Sequence, residues 1–196
     1  MPTVDFLRHG ETTMPGHLNG RSDPPLSDAG WAQVRGQLAR GDWSHVVTSP
    51  LQRARAAAAE YTATRETALL VDERFREMDY GDWDGQTFEA LRADAETYAH
   101  FRKFAVTPEL APPPGGETWD SFCRRLTEGL DALPDGALVV CHAGVIRTSL
   151  HLACGLPVDA LWRVKVGYAA RVTLTYGRDD AGALWGEIVE VVQHGG

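Results

Sequence analysis

With 196 residues, 43% apolar and 23% charged, the chain is long enough for one full hydrophobic core and has the composition of an ordinary soluble globular domain. A net charge of −8 argues against nucleic acid or an anionic membrane as partner, so any affinity for phosphate must be built locally from converging arginines. No apolar stretch reaches membrane-spanning length, and Met-Pro-Thr-Val-Asp at the start has neither the basic nor the apolar region of a signal peptide. Cys123, Cys141 and Cys154 are odd in number and lack CxxC spacing, which predicts reduced core thiols and a cytoplasmic protein.

Strand and helix signals alternate along the chain. Residues 3–7 read as the first strand. Ser27 is a good N-cap for a helix over about 28–40, with Trp31, Val34 and Leu38 at helical spacing. A second strand is predicted over 45–49, and Pro50 suits the first turn of the next helix, where Ala54 to Ala59 favour helical backbone. A short strand at 68–71 follows. The region 85–133 reads as mostly helical, interrupted by Pro108 and by Pro112-Pro113-Pro114-Gly115-Gly116. Residues 137–141 are a continuous apolar run suited to a central parallel strand, and a helix over about 144–154 follows. Strands are expected near 162–166, 170–176 and 184–192, the last two joined as a hairpin through residues 177–182. No repeat or linker interrupts this order, so residues 1–196 are expected to form one α/β domain.

The chemistry begins at Arg8-His9-Gly10-Glu11-Thr12, directly after the first strand. In open α/β sheets ligands bind outside the carboxyl ends of strands, where this segment would lie. A neutral imidazole can displace at phosphorus, Arg8 offers a planar fork of donors for phosphate oxygens, and Gly10 lets backbone N–H groups approach an anion.

Arg8-His9-Gly10 resembles the signature of the histidine phosphatase superfamily, which includes cofactor-dependent phosphoglycerate mutase. Four further motifs carry the resemblance, in family order. They are Ser49-Pro50-Leu51-Gln52-Arg53-Ala54, Glu77-Met78-Asp79-Tyr80-Gly81-Asp82-Trp83, Gly115-Gly116-Glu117, and His142-Ala143-Gly144-Val145-Ile146-Arg147 after Leu138-Val139-Val140-Cys141. The resemblance covers nearly the whole chain. It implies a three-layer α/β/α sandwich with a mostly parallel sheet, and a phosphohistidine intermediate on His9. It also implies that Arg8, Arg53 and a positively charged His142 neutralise the phosphoryl group, helped by backbone N–H groups at Ala143 and Gly144. Glu77 would protonate the leaving alkoxide and then deprotonate the hydrolytic water, a task that calls for a raised pKa. No metal and no cofactor is expected.

Structural readings stand beside these roles. Arg53 could be a solvated arginine heading an amphipathic helix, and His142 a core histidine bonded to backbone. Asp79 is the first substitute for Glu77 as acid. His17, His45, His100, His151 and His194 lack partners at metal spacing and read as surface or packing residues, and Trp83 as packing or pocket wall.

Two departures from the family pattern matter. Thr12-Thr13-Met14-Pro15 stands where many members have Glu-Trp-Asn, so the phosphate contact of that asparagine is lost or supplied elsewhere. The chain also lacks room for the longer insertion of the true mutases, which favours a phosphatase over a phosphoglycerate mutase-like phosphotransferase. A binding module without catalysis is the third reading, disfavoured because Arg8, His9, Arg53, Glu77 and His142 are all present. Gly20-Arg21-Ser22-Asp23-Pro24-Pro25-Leu26-Ser27, like the His142 motif, resembles the alpha-ribazole phosphatase branch. That likeness implies Gly20 and Arg21 as substrate contacts, alpha-ribazole 5′-phosphate as a candidate substrate and a place in cobalamin biosynthesis. The expected partner is a small phosphomonoester, with no nucleic acid and no membrane, bound by a monomer or homodimer.

Overall fold

The computed structural model describes residues 1–194. The apolar run becomes β4 (Ala137–Cys141), buried at every position, because both faces of the sheet are covered there. Around it stand β1 (Thr3–Arg8), β2 (His45–Thr48), β3 (Leu69–Val71), β5 (Arg171–Arg178) and β6 (Leu184–Val192). The sheet order is β3-β2-β4-β1-β5-β6. The first four strands of that order are mutually parallel, while β5 pairs antiparallel with β1 and β6 antiparallel with β5. The sheet is thus mostly parallel, as expected.

Side-chain alternation along the strands defines the layers. On one face Leu7, Leu138 and Val140 pack with α1 (Asp28–Leu38) and α2 (Gln52–Ala63). On the other, Phe6, Val139 and Cys141 pack with α5 (Trp119–Asp131) and α6 (Ala143–Cys154). The short α3 (Phe88–Ala93) and α4 (Ala95–Phe104) extend that second layer through Leu91 and Phe104. The polar break in β1, Asp5, is satisfied: it accepts hydrogen bonds from Trp43 Nε1 at 2.7 Å and Arg171 Nη1 at 2.9 Å.

Ser27 caps α1 as its sequence suggests, its Oγ accepting from Gly30 N at 3.0 Å. Pro50 lies two residues before α2 rather than in its first turn. The helix is capped from a distant loop instead, Asp23 Oδ2 accepting from Gln52 N at 2.6 Å.

The expected strand near 162–166 is not formed. Val158–Arg163 is a 3-10 helix and an irregular segment follows. The alternation Trp162-Arg163-Val164-Lys165-Val166 imitates a strand, but β5 already occupies the edge of β1. The segment instead binds the strand end, with Arg8 Nη1 donating to Val166 O at 2.7 Å and Ala169 N to His9 O at 3.1 Å. Of the three free cysteines Cys141 is buried in the core and Cys154, partly buried, packs against it, whereas Cys123 is partly exposed.

Candidate active site

Because β1 and β4 are parallel neighbours with Arg8 in register with Cys141, His9 and His142 leave adjacent strand ends together. Their ring centroids are 5.3 Å apart. A cavity of about 210 Å³ opens there, with Arg8, His9, Glu77, Ala143 and Gly144 in its wall.

His9 Nδ1 lies 2.7 Å from the carbonyl oxygen of Gly10. A carbonyl only accepts, so Nδ1 carries the proton and Nε2 of the neutral ring keeps its lone pair. The ring is nearly buried, and burial, then Arg8, then Arg53, holds its pKa well below the usual histidine range. Gly10 also has a packing task. A Cβ there would overlap the carbonyl oxygen of Gly30, so this glycine lets α1 close on the strand end.

His142, expected as a cation, is pushed toward its neutral form in the free protein. Burial comes first, then the charges of Arg53 and the neighbouring His9 and Arg8, in lowering its pKa well below the usual range. Its Nε2 stands 2.7 Å from Ser49 Oγ. Its Nδ1 is buried without a hydrogen-bond partner among the described residues.

Arg53 is no solvated arginine: it is 1% exposed. Its fork donates to the carbonyls of Ser22 (2.7 Å), Asn19 (2.8 Å) and Gly20 (3.2 Å), and it pairs with Asp23 at 3.3 Å. Its Nε, like that of Arg8, is buried and unpartnered among the described residues. Such atoms are costly unless a ligand meets them. The loop beneath Arg53 is tied by Asp84, which accepts from Gly20 N at 2.6 Å and Ser22 N at 2.7 Å.

Gly20 and Arg21, expected as substrate contacts, are not among the residues lining the cavity, and neither are Arg53 and His142, which lie behind that wall. Gly20 supplies a carbonyl to Arg53, and Arg21 is an exposed residue pairing with Asp79 at 3.3 Å.

Glu77 is buried in the wall, its Oε2 accepting from Gly144 N at 3.1 Å and its Oε1 from Met78 N at 3.0 Å. The Gly144 N–H at the start of α6 is therefore spent on Glu77 rather than open to an anion. A side chain on Gly144 would overlap the Glu77 carboxylate. Asp79, the substitute acid, points to Arg21 and to Gly81 N (2.9 Å) and does not line the cavity. Glu117 of the Gly-Gly-Glu turn holds Arg125 at 2.7 Å, and Arg125 donates to the carbonyls of Arg74, Arg76 and Glu77. That motif positions the Glu77 segment.

The sequence reading missed Thr12, Asn19, Tyr80, Arg147 and Tyr168 in the wall, and His17, read as surface or packing, lines it too. Tyr168 stacks on the Arg8 guanidinium at 4.1 Å. Asn19, four residues beyond Pro15, is in the cavity wall with its Oδ1 buried and unpartnered among the described residues. Trp83 is core, packed edge-on against Phe101 and Phe104. Among the described residues no three His, Cys, Asp or Glu side chains gather as a metal site, and no helix is long and apolar enough to cross a membrane.

Two histidines, the buried Arg53, the half-buried Arg8 and the Glu77 carboxylate thus gather at the carboxyl ends of parallel strands. The family model described as histidine phosphatase superfamily (branch 1) matches residues 4–186, and the chain belongs to that superfamily. A bifunctional protein of Mycobacterium tuberculosis is 36% identical over 193 residues, covering 91% of this chain and 51% of its own length. The chain thus spans about half the length of that relative. An adenosylcobalamin/alpha-ribazole phosphatase of Salmonella typhimurium is 30% identical over 172 residues, 82% of this chain and 84% of its own. The solved structure of a mycobacterial glucosyl-3-phosphoglycerate phosphatase is similar with a TM-score of 0.79 and 27% identity, over 96% of this chain and 97% of that one.

Proposed function

We propose that the chain is a phosphomonoester hydrolase acting through a phosphohistidine on His9, without metal or cofactor. The observation that carries this reading is the locked tautomer of His9: Nδ1–H is committed to Gly10 O, leaving a neutral Nε2 lone pair in a cavity wall beside Arg8. Arg8, Arg53 and the Nδ1–H of His142 receive the phosphoryl oxygens. Nε2 of His9 bonds to phosphorus as the P–O bond to the alcohol breaks, and Glu77 gives its proton to the departing oxygen. Water then attacks the phosphohistidine, Glu77 taking its proton, and inorganic phosphate leaves with His9 restored.

The substrate is a small phosphorylated metabolite handled in the cytoplasm. Alpha-ribazole 5′-phosphate, and with it cobalamin biosynthesis, is one candidate, supported by the Salmonella relative. A phosphate-release screen over phosphomonoesters that includes alpha-ribazole 5′-phosphate and 3-phosphoglycerate tests the reading. Hydrolysis of at least one monoester is expected; transfer to a second acceptor with no phosphate release would overturn it in favour of a mutase-like phosphotransferase.

A further inference from the structure

Arg147 is the one arginine in the cavity wall that neither the phosphoryl pocket nor the fold accounts for. It lies on α6, one turn beyond His142, and is partly buried. Its Nε donates to Val164 O at 3.2 Å, and its guanidinium lies over the Trp162 ring at 5.1 Å. Among the described residues it has no carboxylate within ion-pair distance and no further hydrogen bond. Arg125, by comparison, is held by Glu117 and three carbonyls. A half-buried guanidinium without a counter-charge is poorly compensated unless a ligand supplies one.

Its place says which part of a ligand that is. Beside the reaction cavity lies a smaller, largely apolar recess of about 40 Å³, with Met78, Phe104 and Leu161 in its wall. Tyr80, Gly144, Arg147 and Trp162 belong to both walls, whereas Arg8 and His9 belong only to the first. Gly144 is also the residue that holds Glu77, the group placed to meet the departing oxygen. The alcohol half of a substrate therefore leaves the Glu77 end of the cavity past Arg147. Charge points the same way. Arg53 is already paired with Asp23, and once Glu77 carries the proton it delivers, Arg147 has no counter-charge among the described residues.

We infer that Arg147 and Trp162 form a second anion subsite, which selects phosphomonoesters whose alcohol bears a carboxylate close to a compact apolar group. This rests on the phosphatase reading and narrows it: a neutral alcohol, such as a riboside, leaves Arg147 unpaired.

The test compares phosphoglycolate and 3-phosphonooxypropanoate with ethyl and propyl phosphate, alike but for the carboxylate. Wild type is expected to prefer the better carboxylated substrate, and Arg147→Gln to lose about 10–100-fold more kcat/KM on it than on its neutral counterpart, the scale of truncating one partner of a buried charge pair. Arg147→Lys should recover part of the difference. Equal losses on both kinds of substrate would assign Arg147 to the transferred phosphoryl group and overturn the inference, as would a wild type without preference. If no monoester is hydrolysed, the phosphatase reading fails by itself. The subsite is then judged by calorimetry with glycolate and 3-hydroxypropanoate in saturating inorganic phosphate. Binding to wild type but not to Arg147→Gln sustains it, and no binding to wild type overturns it.

Discussion

Ser49 Oγ stands 2.7 Å from His142 Nε2, and both residues are wholly buried. The serine oxygen also accepts from Leu51 N at 3.3 Å. Its own proton has one acceptor within reach, the Nε2 lone pair. The bookkeeping fixes His142 as the neutral tautomer protonated on Nδ1, the atom with no protein partner. An imidazolium would leave the serine proton without an acceptor, in keeping with a ring that burial holds neutral. Nitrogen-15 NMR of wild type should show the Nδ1–H tautomer, and Ser49→Ala a mixture. The variant should lose roughly tenfold in kcat/KM, about the worth of one buried hydrogen bond. A wild-type spectrum with the proton on Nε2 would refute the assignment.

Loss of the proposed nucleophile should be absolute. His9→Ala is expected to abolish turnover, and denaturing quench of wild type with phosphorus-labelled substrate should trap acid-labile label on His9. Label on serine or cysteine, or undiminished turnover in His9→Ala, would sink the phosphohistidine route.

The acid can be separated from the nucleophile by leaving-group basicity. Glu77→Gln should cost ~10²–10⁴-fold in the phosphorylation step with an alkyl phosphate and much less with p-nitrophenyl phosphate, read as a pre-steady-state burst. Gly144→Ala should show the same pattern because its Cβ displaces the Glu77 carboxylate. Equal losses on both esters would remove Glu77 from the role.

Stability should fall with acid in a traceable way. His9 and His142 have folded pKa values well below the ordinary 6.5. Below about pH 6.5 the unfolded chain therefore binds protons the folded one refuses, so ΔG of unfolding rises with pH across that window. Each histidine contributes a slope of up to about 1.4 kcal/mol per pH unit. Urea unfolding between pH 7.5 and 5 should show a shallower slope for His9→Asn than for wild type. Identical slopes would mean that His9 is not held neutral.

Positive charge at the site comes from arginines, so a chelator should leave phosphate release unchanged, and bisphosphoglycerate should not be needed. Activity lost to chelation and restored by magnesium or zinc would contradict the proposed route.

The sequence made the sheet and the chemical groups legible because both rest on local signals. Apolar runs mark β1, β2 and β4, and His9 and His142 follow directly on two of them. What stayed hidden was set by contacts distant in sequence. Trp162 to Val166 alternate like a strand, but the only neighbouring strand edge was taken by β5. Gly20 and Arg21 stood as ligands on the resemblance of their motif to the alpha-ribazole phosphatase branch; only the fold shows Gly20 O facing Arg53. His17, Asn19 and Tyr168 reach the cavity from loops with no periodicity to betray them. The charge of His142 depended on neighbours that no spacing reveals.

Gly10 and Gly30 stand back to back, and a methyl group on either would overlap backbone: Gly30 O in one case, Glu11 O in the other. The mount of His9 is thus a clearance between two main chains, which side-chain repacking cannot adjust. Directed evolution of new specificity has to leave residues 8–11 and the start of α1 alone. Its freedom lies elsewhere in the cavity wall, at His17 and Trp162, where substitutions can reshape the cavity without touching that clearance.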